Sequence, residues 1–267
     1  MMECWHMSGA GNDFMVIDAR GKTLDFSALA LKLCGATGAD GFMAVDYSDV
    51  ADFKLHFYNS DGSRGEMCGN GSRCICRFAY DHGIAGAHMV LEADAGLVPG
   101  ERLEEGQYLV RLNLPTVLEP ERLPGVAYVE LGNPGLPHAV KEQPGLTWED
   151  REELREMAKG LRYCPDFPKG ANVNLFTWIG ENRVRILTYE RGVEDYTLAC
   201  GTGCGSTALV LWQQGKLPGG KLILENQGGT LEVTVQTENN QVKGLLLEGP
   251  ATVRQVYEVT ESGEILE

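Results

Sequence analysis

The pattern Cys-Gly-x-Gly occurs twice in this chain, at Cys68 and Cys200, 132 residues apart in a sequence of 267. The likeness extends in both directions. Each motif is followed by a segment with helical spacing that closes at a glycine fifteen residues after the cysteine, Gly83 in one case and Gly215 in the other. Glycine is the residue that takes the left-handed conformation ending a helix at least cost. Beyond each helix an apolar run leads to a glycine turn: Met89–Glu92 to Gly96, and Leu222–Glu225 to Gly228-Gly229. These read as hairpins. Upstream, Leu55–Tyr58 and Val184–Tyr189 read as strands ending before Gly62 and Gly192. Asn59 of one half therefore corresponds to Glu190 of the other. Two earlier helices also match in order: Ser27–Cys34 stopping at Gly35, and Trp148–Lys159, opened by a Thr147/Asp150 capping box and stopping at Gly160.

A period near 130 residues exceeds any solenoid unit and implies two similar domains. The fold expected is α/β of the α+β type. Two pseudo-symmetric domains each wrap a mostly antiparallel sheet around a central helix, with the active site in the cleft between them. The boundaries expected are residues 1–116 and 117–253, joined near Leu114–Pro120, with 254–267 returning to the first domain.

The formal net charge of -15 disfavours nucleic acid and anionic membrane surfaces, which need a basic footprint. No apolar stretch approaches the ~18 residues of a membrane span, and no signal-like N-terminus is present. A cytoplasmic location follows, so the eight cysteines are read as thiols. No metal-ligand spacing stands out. Cys74, Cys76 and Cys204 fall inside helices and read as core.

A cysteine at a helix mouth meets first-turn N–H groups and partial positive charge, which lower a thiol pKa. The Gly69-Asn70 and Gly201-Thr202 amides can hold carboxylate oxygens. Two such mouths around one small acid set two thiols on opposite faces of a tetrahedral carbon. That is the geometry of racemisation: one thiolate removes a proton and the other thiol delivers one. The helix mouths stabilise the charge that flows onto the carboxylate.

The segments Asn59–Ser63 and Glu66–Cys74, Glu190-Arg191-Gly192 with Thr197–Gly203, and Met7–Phe14 closely resemble the diaminopimelate epimerase family, over essentially the whole chain. The resemblance implies cofactor-independent epimerisation of LL-2,6-diaminopimelate to the meso form. It makes Cys68 and Cys200 the acid/base pair and Gly69, Asn70, Gly201 and Thr202 carboxylate binders. Asn12, Asn59, Asn172, Glu190 and Arg191 become substrate contacts, and a homodimer is implied. No cofactor and no metal is called for.

Three segments depart from the family pattern. Gly-Asn-Pro-His is split as Gly132–His138, so that either Asn133 or Leu136 faces substrate. The interval from Glu190 to Cys200 is one residue longer than in many members and carries Tyr196. Gly41-Phe42 stand where a Gln is common. These departures support an alternative, a racemase of another amino acid such as histidine with a narrowed distal pocket. A second alternative is a non-catalytic binder of small anions, for which cysteines in both halves serve no purpose. His138 reads as a hydrogen-bonded structural histidine and Asp40-Gly41 as a turn.

Overall fold

A computed structural model describes residues 1–65, 68–94 and 96–266; Glu66 and Met67 of the first motif lie outside the described residues. The chain divides into two compact units, Met1–Val110 with Gly249–Glu267, and Arg111–Glu248. The fold is mixed α and β, dominated by sheet and mostly antiparallel.

The first unit runs β1 (Met2–Gly9), β2 (Asn12–Asp18), α1 (Phe26–Thr37), β3 (Gly41–Asp46), β4 (Phe53–Asn59), α2 (Gly69–Asp81), β5 (His88–Ala93), β6 (Gly96–Glu104) and β7 (Gln107–Leu112). Neighbouring strands pair antiparallel except across the two helices, where β2–β3 and β4–β5 are parallel. The last strand of the chain, β17 (Thr252–Val259), pairs antiparallel with β1 along its length.

The second unit repeats this order. After β8 (Pro115–Leu123) come β9 (Val126–Leu131), β10 (Leu136–Glu142), α3 (Arg151–Arg162), β11 (Asn172–Gly180), β12 (Arg183–Glu190), the short β13 (Asp195–Thr197), α4 (Gly201–Gln213), β14 (Lys221–Asn226), β15 (Gly229–Glu238) and β16 (Gln241–Pro250). Among the described residues, parallel pairing is again seen across the helices, at β10–β11 and β12–β14. β8 pairs with β9 as β17 pairs with β1. The Pro115–Pro120 stretch, expected as part of a joint, is thus strand.

The alternation of the strands assigns each helix a face. In β2, Met15 and Ile17 join Phe42 and Ala44 of β3 in a core with Leu29, Ala30 and Leu33 of α1. The opposite face carries Phe14 and Met43, which meet α2 at Gly71. In the second unit Val173, Leu175, Leu187 and Tyr189 pack with Leu154 and Ala158 of α3. Asn174 and Thr188, on the other face, meet α4 at Gly203. α1 and α3 bury one side, whereas α2 and α4 are buried nearly all round. Small residues such as Gly71, Ser72, Gly203, Gly205 and Ser206 permit that.

Two helix stops differ from expectation. Gly35 lies within α1, which continues to Thr37 and ends at Gly38 with φ 74°. Gly160 lies within α3, which continues to Arg162. Neither glycine adopts positive φ; a single glycine in a helix costs only about 1 kcal/mol. Tertiary packing of the remaining turn overrides it. At the start of the second helical segment Thr147 N–H donates to the Asp150 carboxylate at 2.7 Å, as the capping box predicts. Trp148–Asp150 form a 3₁₀ turn before α3.

Candidate active site

Cys68 and Cys200 are the N-cap residues of α2 and α4, with φ/ψ of -118°/114° and -126°/110°. The helices that follow are both 13 residues long. Each cysteine carbonyl accepts the first helical bond, from Ser72 at 2.8 Å and from Cys204 at 2.9 Å. The amides ahead of those bonds, of Gly69 and Asn70 in one unit and of Gly201 and Thr202 in the other, belong to a first turn. Its N–H groups have no carbonyl one turn back and suit an anion.

In the first unit the half-buried Cys68 directs its thiol to Asn12 Oδ1 at 3.6 Å. Asn12 is fixed in turn by Asp40, whose carboxylate accepts from Asn12 Nδ2 at 2.6 Å and from the Asp13 amide at 2.8 Å. Asp40 is therefore more than a turn residue. Its sequence signal was only its place before β3, and the partner lies 28 positions away. Asn59 ends β4, exposed, with Nδ2 donating to Ser63 Oγ at 3.0 Å. Asn70 is buried, and its side-chain oxygen accepts from the buried Arg73 at 3.0 Å. Its side chain thus points into the unit.

In the second unit Cys200 is 7% exposed. Its sulfur lies 3.5 Å from Thr202 Oγ1 and accepts from the Gly203 amide at 3.4 Å. Burial, joined by the Glu190 carboxylate, pushes this thiol well above its ordinary pKa; the Thr202 and Gly203 bonds act the other way and are outweighed. The helix mouth was expected to lower it. Desolvation of a thiolate prevails over a few partial charges. Cys4, Cys74 and Cys76 are pushed up to about 12 by the same burial.

Glu190 ends β12 as Asn59 ends β4. The Arg191 amide donates to Asn172 Oδ1 at 2.8 Å, and Asn172 Nδ2 donates to Pro137 O at 3.2 Å. Asn172 thus ties the start of β10 to the Arg191 turn. Arg191 Nη1 also donates to Lys169 O at 3.3 Å, and the Lys169 ammonium is held by Glu130 at 2.6 Å. Within that turn the Glu194 carboxylate accepts from Gly192 N at 3.0 Å and from Arg162 Nη2 at 2.7 Å. Burial opposes ionisation of Glu194, but these donors keep its pKa below the usual range. Glu194, Lys169 and Glu130 were missed as supports because the Arg162–Glu194, Arg191–Lys169 and Lys169–Glu130 contacts span 32, 22 and 39 positions.

The segments that depart from the family pattern take the following places. Asn133 is exposed in the β9–β10 turn. By register Leu136, half-buried at the start of β10, occupies the place that Asn12 holds in β2. Tyr196 is 7% exposed and packs edge-on to Tyr189 at 5.4 Å in the α3 core. Phe42 is fully buried in the α1 core. Both side chains belong to the cores on the sheet faces opposite the Cys68 and Cys200 helices.

The model of the family described as diaminopimelate epimerase matches residues 4–115 and again 130–253. Diaminopimelate epimerase of Aquifex aeolicus is 36% identical, with all of both chains covered. That of Chlorobaculum tepidum is 35% identical over 95% of this chain and 99% of its own. Among solved structures, a Bacillus anthracis phenazine biosynthesis protein of the PhzF family superposes with a TM-score of 0.70 at 17% identity, covering 97% of this chain and 99% of its own. A probable proline racemase from Agrobacterium radiobacter gives 0.67 at 16%, covering 97% and 93%. These last two share the fold. Matched along nearly its whole length, and at both copies of its internal repeat, the chain belongs to the diaminopimelate epimerase family.

Proposed function

We propose that this protein epimerises LL-2,6-diaminopimelate to meso-diaminopimelate, without a cofactor, through Cys68 and Cys200. The observation that carries the reading is the pair of cysteines capping equivalent helices with matching backbone geometry. The α-carboxylate is held by the first-turn amides of Gly69-Asn70 and Gly201-Thr202. One thiolate takes the α-hydrogen as a proton, and the C–H electron pair passes to the carboxylate, where the helix mouths stabilise it. The thiol on the opposite face gives its proton to the same carbon. The configuration inverts, and thiol and thiolate have exchanged roles.

In the empty protein burial and the Glu190 carboxylate hold Cys200 as the thiol, the form that donates a proton. Arg191 reads the distal carboxylate with a two-pronged guanidinium, and Glu190, Asn59, Asn12 and Asn172 order the ammonium groups and the turns that present them. The reading places the protein in the cytoplasm as a homodimer whose partner is a small amino acid, with no nucleic acid or membrane. No described helix is long and apolar enough to cross a membrane. The test is kcat/KM for diaminopimelate isomers against a panel of single amino acids, followed by chiral chromatography. Preference for diaminopimelate by tenfold or more, about 1.4 kcal/mol of transition-state binding, is expected. Equal preference for a panel member overturns the substrate assignment.

A further inference from the structure

The internal repeat supplies its own control. Strand registers equate Phe14 with His138, Met43 with Asn174 and Phe57 with Thr188. Gly71 and Gly203 are the equivalent third residues of the two helices. Beneath the Cys68 helix the socket is apolar: a Cβ on Gly71 would stand 3.1 Å from Met43 Sδ and 3.4 Å from Phe14, and Phe14 meets Phe57 edge-on at 6.0 Å. Beneath the Cys200 helix the same positions carry a buried polar trio. Thr188 Oγ1 donates to Asn174 Oδ1 at 3.0 Å, and Asn174 Nδ2 donates to Ala139 O at 3.0 Å. That nitrogen also lies 3.2 Å from His138 Nδ1. Asn174 Oδ1 rests against Gly203, where any Cβ would collide with it.

The fold is therefore built once with an apolar socket and once with a polar one. Burying amide, hydroxyl and imidazole costs free energy that hydrocarbon would not. The polar version is not needed to make the architecture. Asn174 Nδ2 lies also 3.5 Å from Asn172 O, and this bonding orients the amide. Ala139 O only accepts, so the Asn174 amide must turn its nitrogen that way and its oxygen toward Gly203 and Thr188. His138 Nδ1 is then an acceptor, and the imidazole is neutral with its proton on Nε2.

We propose that His138, Asn174 and Thr188 form a positioning relay for Cys200: His138 and Thr188 lock the Asn174 amide, and Asn174 sets the first turn of α4 that carries the Cys200 thiol and its Gly203 hydrogen bond. The relay rests on the reading of Cys200 as an acid/base group. It distinguishes the Cys200 mouth from the Cys68 mouth, where the third helical residue, Gly71, rests on the apolar side chains of Met43 and Phe14. Full burial keeps His138 neutral, its pKa pushed down to about 3, with the Arg191 charge acting in the same direction. The lock is thus not released by ordinary changes of pH.

The test uses paired variants of the full chain. His138→Asn puts an amide oxygen where Nδ1 stands; His138→Gln keeps a group at the Nε2 end and loses the Nδ1 acceptor. Thr188→Val is isosteric and removes the donor to Asn174, and Thr188→Ser restores it. Two readouts are followed: the separate iodoacetamide alkylation rates of Cys68 and Cys200 by peptide mass spectrometry, and kcat against KM. In His138→Gln and Thr188→Val the Cys200 rate is expected to change by about fivefold or more while the Cys68 rate stays within twofold, and kcat to fall about tenfold with KM little changed. His138→Asn and Thr188→Ser recover most of both. Equal change at Cys68 and Cys200, no change at Cys200, or failure of the conservative pair to rescue overturns the relay. Should the His138 variants not fold, the Thr188 pair decides alone. The alkylation readout needs no substrate, so an error in the substrate assignment leaves it intact.

Discussion

Moving from pH 7 to pH 5 should destabilise the protein through His138. The imidazole is fully buried, and its pKa falls from 6.5 to about 3 on folding. Between these values the unfolded chain binds a proton that the folded chain refuses, so stability falls as pH drops through 6.5 and goes on falling to about 3. Evaluated for one site with those two pKa values, the step from pH 7 to pH 5 removes about 2 kcal/mol. Carboxylates with lowered pKa, such as Glu130 and Asp195, lose their contribution only as pH falls below the usual carboxylate range, so they contribute little to this step. The assay is urea unfolding at the two pH values, read by the tryptophans of the second unit, Trp148, Trp178 and Trp212, in the wild type and in His138→Gln. The wild type should lose about 2 kcal/mol more than the variant over this interval. Parallel losses would refute the reasoning, since His138 would then be hydrated or charged in the native state.

Three further outcomes follow from the same packing. Tyr196→Phe should leave substrate preference unchanged and stability within about 1 kcal/mol, because its buried hydroxyl has no hydrogen-bond partner among the described residues and the ring packs in the α3 core; a tenfold change in substrate preference would reinstate it as a pocket residue. Gly203→Ala should cost about 1–3 kcal/mol in thermal or urea unfolding because its Cβ meets the locked Asn174 amide, whereas Gly71→Ala should be close to neutral because the flexible end of Met43 can yield. Brief alkylation of the native protein at pH 8 should label Cys68 and Cys164, the two half-buried thiols, well before Cys4, Cys74, Cys76 or Cys200, as peptide mapping would show; early labelling of Cys200 would contradict its burial and raised pKa.

The sequence was most informative where structure is local or repeated. Matching motifs, glycine closures at Gly83 and Gly215 and apolar alternation in Leu222–Glu225 all depend on near neighbours, and the helices and hairpins stand where these signals lie. Gly35 and Gly160 misled because a helix-ending glycine and a tolerated one look alike until the next turn finds its packing. The inward turn of the Asn70 side chain depends on Arg73 within the buried helix, and the tie between Asn172 and Arg191 spans 19 positions. The chemical difference between the two sockets was also invisible. It appears only when strand registers align His138 with Phe14 and Asn174 with Met43. The raised Cys200 pKa has the same origin: motif reading sees the helix mouth, whereas burial is a property of the whole second unit.

Deuterium incorporation from heavy water tests the two-thiol mechanism most directly. A thiol carries one proton, and the proton removed from one face stays on the thiol of that face while the other thiol delivers a solvent-derived one. At early times in D₂O, the account predicts that newly formed meso-diaminopimelate carries deuterium at the inverted carbon while recovered LL isomer carries almost none, and that Cys68→Ala and Cys200→Ala each abolish inversion. Product that retains the original hydrogen, or full activity in either variant, would contradict the account.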